Sequence, residues 1–300
     1  MKPTRPNKSK LHNDLFWGYL FIVPSLLGLL IFYIFPVFQT LFYSFTSWGD
    51  FGNYSLTGLE NYKKLAADPE IWQSFRNTLI YAFVMVPISI AISIFIAVLL
   101  NQKIKGLTVY RTLYFLPVVT MPAAIGMIWK WLYNSDYGII NHVLGWFAIS
   151  GPDWLTDPNW VLTSIIGVGI WSVIGTNMVI LLSGLQGIPK SLYEAASLDG
   201  AGMNYMFFRI TIPLLSPTIF FVAVISFISA FQVFDFIFMM INPTNPAINS
   251  AQSVIYLFYR YAFVIGEKGI AAAIAFVLFG IILILTIIQF RLQKKWVHYE

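Results

Sequence analysis

The chain has 300 residues, 58% of them hydrophobic and only 10% charged, far less charge than a water-soluble domain of this size needs to cover its surface. The net charge of +5 is mild and no basic cluster suggests a nucleic-acid partner. With no cysteine there are no disulfides, thiol catalysis or cysteine metal sites, and His12, His142 and His298 lack ligand spacing, so no metal is expected.

The apolar residues fall into six runs, at 16–45, 75–100, 107–133, 160–186, 213–241 and 269–290, each near or above the roughly 20 helical residues that cross a bilayer. The runs are continuous rather than alternating. This predicts helices, the form that satisfies its own backbone groups in lipid, and not a β-barrel. The first run follows Lys2, Arg5, Lys8 and Lys10. It is much longer than the roughly 7–15 residues of a signal-peptide core and has no small-residue cleavage site, so it reads as a retained span after a tail at 1–15. Pro24 and Pro36 within it predict bends. The connection at 48–74 mixes charges and has room for a short helix. The third span is read as one helix. After it, 134–159 is rich in Gly, Asp, Trp and Pro and reads as turns with an interfacial helix.

Neither of these loops is large enough for an independent domain. Trp17, Trp48, Trp129, Trp131, Tyr133 and Trp160 lie near the span ends, where interfacial aromatics belong. With the N-terminus inside, twelve of the 18 Lys and Arg residues are cytoplasmic, among them Lys103, Lys105, Arg111, Lys190, Arg209, Arg291, Lys294 and Lys295. The remaining six are on the opposite side. The bias predicts a multi-pass protein of the cell (inner) membrane with both termini, including the tail at 291–300, in the cytoplasm.

The loop at 187–212, GIPKSLYEAASLDGAGMNYMFFRITI, carries the strongest local pattern. Ser191 precedes Glu194 by three residues, the spacing of a capping box at a helix start. Leu192, Tyr193, Ala195, Ala196 and Leu198 supply apolar and small surface, and Gly200 and Gly202 predict the helix stop. A second helical stretch is expected at 204–209, ahead of Pro213. By composition alone the loop suits two roles equally: docking against a partner's groove, or lying on the membrane as an amphipathic connector.

The same loop resembles the signature of binding-protein-dependent ABC importer permeases: Glu-Ala-Ala, three residues, Gly, nine residues, Ile, one residue, Leu-Pro. Here it reads Glu194, Ala195, Ala196, Gly200, Ile210, Ile212 and Pro213, with Ile212 in place of leucine as the sole departure. Tyr110–Asn141, Ser183–Gly202 and Gln289–Glu300 are also similar to carbohydrate-uptake permeases of the type that pairs with a second, related permease. The resemblance implies an all-α integral membrane fold of six transmembrane helices, with a cytoplasmic coupling helix between the fourth and fifth. It implies that Glu194, Ala195, Ala196, Asp199, Gly200 and Ala201 face an ATPase. Glu194 would cap the helix, pair with a cation on the ATPase, or both. The implied partners are a second homologous permease, two ATP-binding cassette subunits, an extracytoplasmic solute-binding protein and membrane lipid.

No GxxxxGK[ST] phosphate loop is present to cradle a nucleotide. The chain is therefore expected to be no enzyme and to hold no cofactor, with ATP and Mg bound by the partner ATPase. Gly167, Gly169 and Gly175 lie inside an apolar run and read as helix-packing positions. Polar residues in the middle spans are candidates for a substrate path: Asn177, Ser226, Ser229, Gln232 and Asp235, with Ser172 beside them. Ser226 and Ser229 are expected to share a helical face, as are Gln232 and Asp235. Trp171 offers a flat face to a sugar ring. Interhelical hydrogen bonding and plain packing compete with a substrate role at each of these positions. The expected function is import of a sugar, an oligosaccharide or related polyol derivative. The rivals are an ion-coupled secondary transporter, which would show repeated broken spans, a membrane enzyme, which needs a cluster of acids and bases at depth, and an assembly scaffold.

Overall fold

The computed structural model describes residues 8–48, 52–102 and 105–297, with side chains from residue 17 onward. Lys2, Arg5, Lys103 and His298 lie outside the described residues, as do the side chains of Lys8, Lys10 and His12. Among the described residues five helices are long and apolar enough to cross a membrane, and a bent pair makes a sixth when counted as one crossing.

The first crossing joins α1 (Lys8–Leu29) to α2 (Phe35–Ser44) through a π turn at Leu30–Ile34. Pro24 sits inside α1, which stays helical, while the π turn ends two residues ahead of Pro36. A proline has no amide hydrogen and its ring crowds the carbonyl four residues back. Widening the helix locally accommodates both without ending it. None of the apolar stretch of this first crossing is buried against the rest of the chain.

A small layer outside the spans follows. Strands β1 (Thr46–Trp48) and β2 (Tyr54–Leu56) pair antiparallel, with Ser47 opposite Ser55, and lead to helix α3 (Glu60–Ala67). The hairpin was not expected: three residues a side is too short for alternation to register. The buried Asn61 amide pins it by donating to the carbonyls of Ser44 (2.9 Å) and Thr46 (2.8 Å).

Helix α4 (Pro69–Leu100) begins at Asp68, whose carboxylate accepts from the Glu70 amide at 2.8 Å. It therefore starts six residues before the apolar run at 75, because a cap and a proline in the first turn are compatible with polar surface. The third span is two helices, not one: α5 (Leu107–Val119) and α6 (Pro122–Leu132) meet at 102°. Met121, before Pro122, is extended (φ −57°, ψ 129°), as the proline ring requires of its predecessor. Helix α7 (Ile139–Trp146) occupies the following loop, where Asn141 accepts from the Trp154 indole at 2.6 Å.

Helix α8 (Val161–Gly187) is central. A Cβ at Gly169 would run into the Tyr81 side chain of α4, one at Gly175 into the Tyr114 carbonyl of α5, and one at Gly184 into Thr218 of the fifth span. Three glycines thus let three different neighbours approach one helix, the packing that lipid favours in the absence of a hydrophobic drive.

After α9 (Lys190–Leu198), the fifth crossing runs without interruption from α10 (Met203–Met206) through a π turn at Phe207–Thr211 into α11 (Ile212–Phe231). Again the π turn ends two residues before a proline, Pro213. The expected boundaries 213–241 are therefore displaced at both ends. The helix starts ten residues earlier, at Met203, and stops at Phe231, and α12 (Asp235–Met240) is a separate short helix packed on α6. A Cβ at Gly126 of α6 would meet Met239 Cβ at 2.8 Å, so glycine sets that contact too.

Outside the spans, a 3₁₀ turn (Pro246–Ser250) and α13 (Val254–Tyr259), extended by a π turn to Ile265, lead to α14 (Lys268–Trp296). A polar cluster ties this segment to the start of α4. Arg260 holds Glu70 with two bonds of 2.5 Å, Gln252 donates to Glu70 at 3.0 Å, and Tyr261 donates to Asp68 at 3.2 Å. Asn77 donates to the Asn249 carbonyl at 3.0 Å, and the Val254 amide donates to Thr78 at 3.0 Å. The members are dispersed over 193 positions, and no local spacing could have announced them.

Candidate functional site

The connection between α8 and α10 folds as one compact helix, α9. Its end follows from the backbone. Gly200 has φ +77°, a left-handed conformation that glycine adopts without a Cβ penalty. The Ala201 amide then donates to the Ala196 carbonyl (2.9 Å) and the Gly200 amide to that of Ser197 (3.1 Å), the paired bonds of a Schellman closure. Gly202 plays a different part from the one expected. Its φ of −72° and ψ of 161° make it the extended residue that starts α10, not a second stop.

The start of α9 also differs. Pro189 is the N-cap, and no side chain caps the helix. Ser191 lies inside the first turn, so it does not form the capping box that its spacing to Glu194 suggested, and Glu194 is not a cap. Glu194 and Ala195 are exposed, together with Ser197, Asp199, Gly200 and Leu198, the last 90% accessible. Ala196 and Ala201 are half-buried and turn toward the chain's own body.

One anchor was missed entirely. The Tyr193 hydroxyl lies 3.0 Å from Thr211 Oγ1, and Thr211 is 6% exposed. The bond links α9 directly to the π turn of the fifth crossing. Tyr193 read as apolar surface in the sequence because nothing marked its partner, 18 positions away. Beneath α9 lies a cavity of about 600 Å³ between Phe95 and Leu99 of α4, Leu185, Tyr193 and the Met203–Thr211 stretch.

The substrate-path candidates are scattered more than expected. Trp171 is half-exposed on α8 and stands edge-on to Trp129 of α6, ring centres 5.6 Å apart. Asn177, also on α8, is 5% exposed, and its Nδ2 has no hydrogen-bond partner among the described residues. Ser172 is satisfied within α8, donating to the Gly169 carbonyl at 2.8 Å. Ser226 and Ser229 lie one turn apart on the uninterrupted α11, the first buried and the second exposed. Gln232 caps the end of α11 and Asp235 opens α12. The chain breaks between them, and the shared helical face does not exist. Both are exposed.

Residues 69–298 match the family model described as a binding-protein-dependent transport system inner membrane component. The chain is 37% identical over 97% of its length, and 94% of the relative's, to the "Probable ABC transporter permease protein YesP" of Bacillus subtilis. It is 34% identical to the sn-glycerol-3-phosphate transport system permease protein UgpA of Pectobacterium atrosepticum, covering 94% of this chain and 95% of that one. Among solved structures, a chain of a bacterial ABC transporter involved in the import of the acidic polysaccharide alginate superposes with a TM-score of 0.84. It covers 95% of this chain and 99% of its own at 22% identity, a likeness of fold. With the family model spanning all but the first crossing, and relatives aligned nearly end to end, the chain belongs to the inner membrane components of binding-protein-dependent transport systems.

Proposed function

We propose that this chain is the permease subunit of an ATP-driven importer for a sugar or a related polyol phosphate, and that α9 is its ATPase-docking helix. The observation that carries the reading is the Glu194–Gly200 signature, folded as a short helix closed by a left-handed glycine, with Leu198 almost fully exposed. An exposed leucine on a helix this short has no role in the isolated chain and suits insertion into a partner's groove. Glu194 is free to meet a cation there. Ala195 keeps the surface low, and Ala196 packs inward. Tyr193 transmits the contact to the fifth crossing through Thr211.

The substrate class follows the names of relatives. UgpA is a glycerol-3-phosphate permease, and the multiple sugar-binding transport system permease protein MsmF of Streptococcus mutans is 34% identical over 94% of this chain. The alginate importer has also been solved with its oligosaccharide-bound periplasmic protein. By that analogy this chain pairs with a second permease, receives solute from an extracytoplasmic binding protein, and draws on ATP and Mg held by two cytoplasmic ATPases. Both termini then lie in the cytoplasm with α9. An ion-coupled carrier has no support among these relatives.

The test is co-purification of the chain from membranes, wild type against a Glu194→Gln, Gly200→Val double variant. Recovery of a cytoplasmic ATPase with wild type and its loss from the variant support docking at α9. Equal recovery places the contact elsewhere, and no ATPase with well-folded wild type removes the importer reading.

A further inference from the structure

A slot of about 480 Å³ opens between α3, α4 and α14, in the half of the bundle that the orientation proposed above turns outward. Trp72, Arg76 and Ile80 line one wall, each a helical turn below the last. Val277 and Ile281, again one turn apart, line the other, and Leu65 of α3 closes the outer end. The lining is apolar apart from the Tyr62 hydroxyl, which lies 2.7 Å from Ser44 Oγ, and one charge. Arg76 is exposed, with no hydrogen bond or ion pair recorded to any described residue.

The depth of that charge decides what fits. At about 1.5 Å of rise per residue, Arg76 lies about 36 Å along α4 from Leu100. With Leu100 set at one boundary of the hydrocarbon layer, which is about 30 Å thick, Arg76 falls a few ångströms beyond the other, at the level of lipid phosphates, and the slot below it falls within the hydrocarbon. Trp72 marks the same boundary: its indole donates to the Ala66 carbonyl at 3.0 Å while its ring is 61% exposed, the amphipathic placement of an interfacial tryptophan.

We propose that the slot binds one outer-leaflet anionic phospholipid, its phosphate on the Arg76 guanidinium and an acyl chain between Ile80 and Ile281. A planar guanidinium matches two phosphate oxygens at once. Below Arg76 the lining is apolar, and the Tyr62 hydroxyl is already paired with Ser44, so it offers little to a sugar or a peptide backbone, both of which bring polar groups that need partners. An acyl chain brings none.

The test uses the assembled transporter in membranes containing phosphatidylglycerol with a photoactivatable group near the carboxyl end of one acyl chain, about one helical turn (~6 Å) from the phosphate and so level with Ile80. Labelling of peptides containing Ile80 and Ile281 is expected in wild type. Arg76→Gln should lower it by about fivefold, the factor that one interfacial cation contributes, and Arg76→Lys should keep most of it. Ile80→Trp, which fills the slot and leaves Arg76 in place, should abolish it. Equal labelling in wild type, Arg76→Gln and Ile80→Trp overturns the proposal. The chain has no cysteine of its own, so the thiol introduced by Ile80→Cys is unique. Its cross-linking to another polypeptide in the assembled complex would identify the occupant as protein and overturn the proposal equally.

Discussion

Replacing Gly200 by valine isolates the left-handed turn that ends α9. Nothing lies within 4 Å of a Cβ built at Gly200, so the substitution meets no obstacle in space, and its whole cost is torsional. Holding an L-residue at φ +77° costs about 1–2 kcal/mol, more for a β-branched side chain than for asparagine. Released as a changed exit from α9, that energy weakens the two Schellman bonds and moves the docking surface. If it falls entirely on docking, ATPase affinity drops by roughly 5- to 30-fold. Gly202→Ala is the matched control. Gly202 has φ −72° and open space around its Cβ, so alanine there is free of strain. The assay is titration of the purified cognate ATPase against nanodisc-embedded permease pairs, with equal insertion checked by size-exclusion chromatography. Unchanged affinity in Gly200→Val, or an equal loss in Gly202→Ala, would refute the argument that the left-handed turn sets the docking geometry.

Further outcomes follow from the packing. Gly175→Ala should reduce the detergent-stable yield sharply, because its Cβ collides with the Tyr114 backbone, whereas Gly187→Ala, with nothing within 4 Å, should not. Size-exclusion profiles of the two variants decide it. Arg260→Gln should lower the thermal midpoint in detergent by the equivalent of about 1–3 kcal/mol, since Glu70 loses a bidentate, partly buried partner. A double variant with Glu70→Gln should be less destabilised than the sum of the singles. Asn177→Leu should be neutral or stabilising in the same melt by up to about 2 kcal/mol, because the buried amide nitrogen it removes is unbonded. A fall in uptake by that stable variant would assign Asn177 to the path.

What could be read from the residues alone followed the physics of each signal. Long apolar runs announce themselves because lipid demands about 20 consecutive residues, and the left-handed stop at Gly200 was legible because only glycine is comfortable there. The breaks were less legible. Apolar content stays high through Thr120 and Met121 and through Gln232–Phe234, so hydropathy cannot register a 102° elbow or the gap before α12. Pro122 carried the first signal, but prolines at 24, 36 and 213 occur where the helix continues, and proline alone does not separate a bend from a widened turn. Ser191 and Glu194 had the spacing of a capping box, yet Pro189 is the N-cap. Interactions such as Tyr193 with Thr211 and Glu70 with Arg260 exist only once the chain is folded.

The uninterrupted course from Met203 to Phe231 has a mechanical consequence. Twenty-nine helical residues form a connecting rod about 43 Å long, with α9 tied to it through the Tyr193–Thr211 bond across the short turn at 199–202. Displacement applied at α9 is not absorbed locally. It is delivered to the far end, where the helix stops at Phe231 and the chain first becomes free to pivot, beside the α6 and α12 elbow. With an ATPase docked at α9 as proposed, the soft joint lies on the side of the membrane opposite to where the force enters.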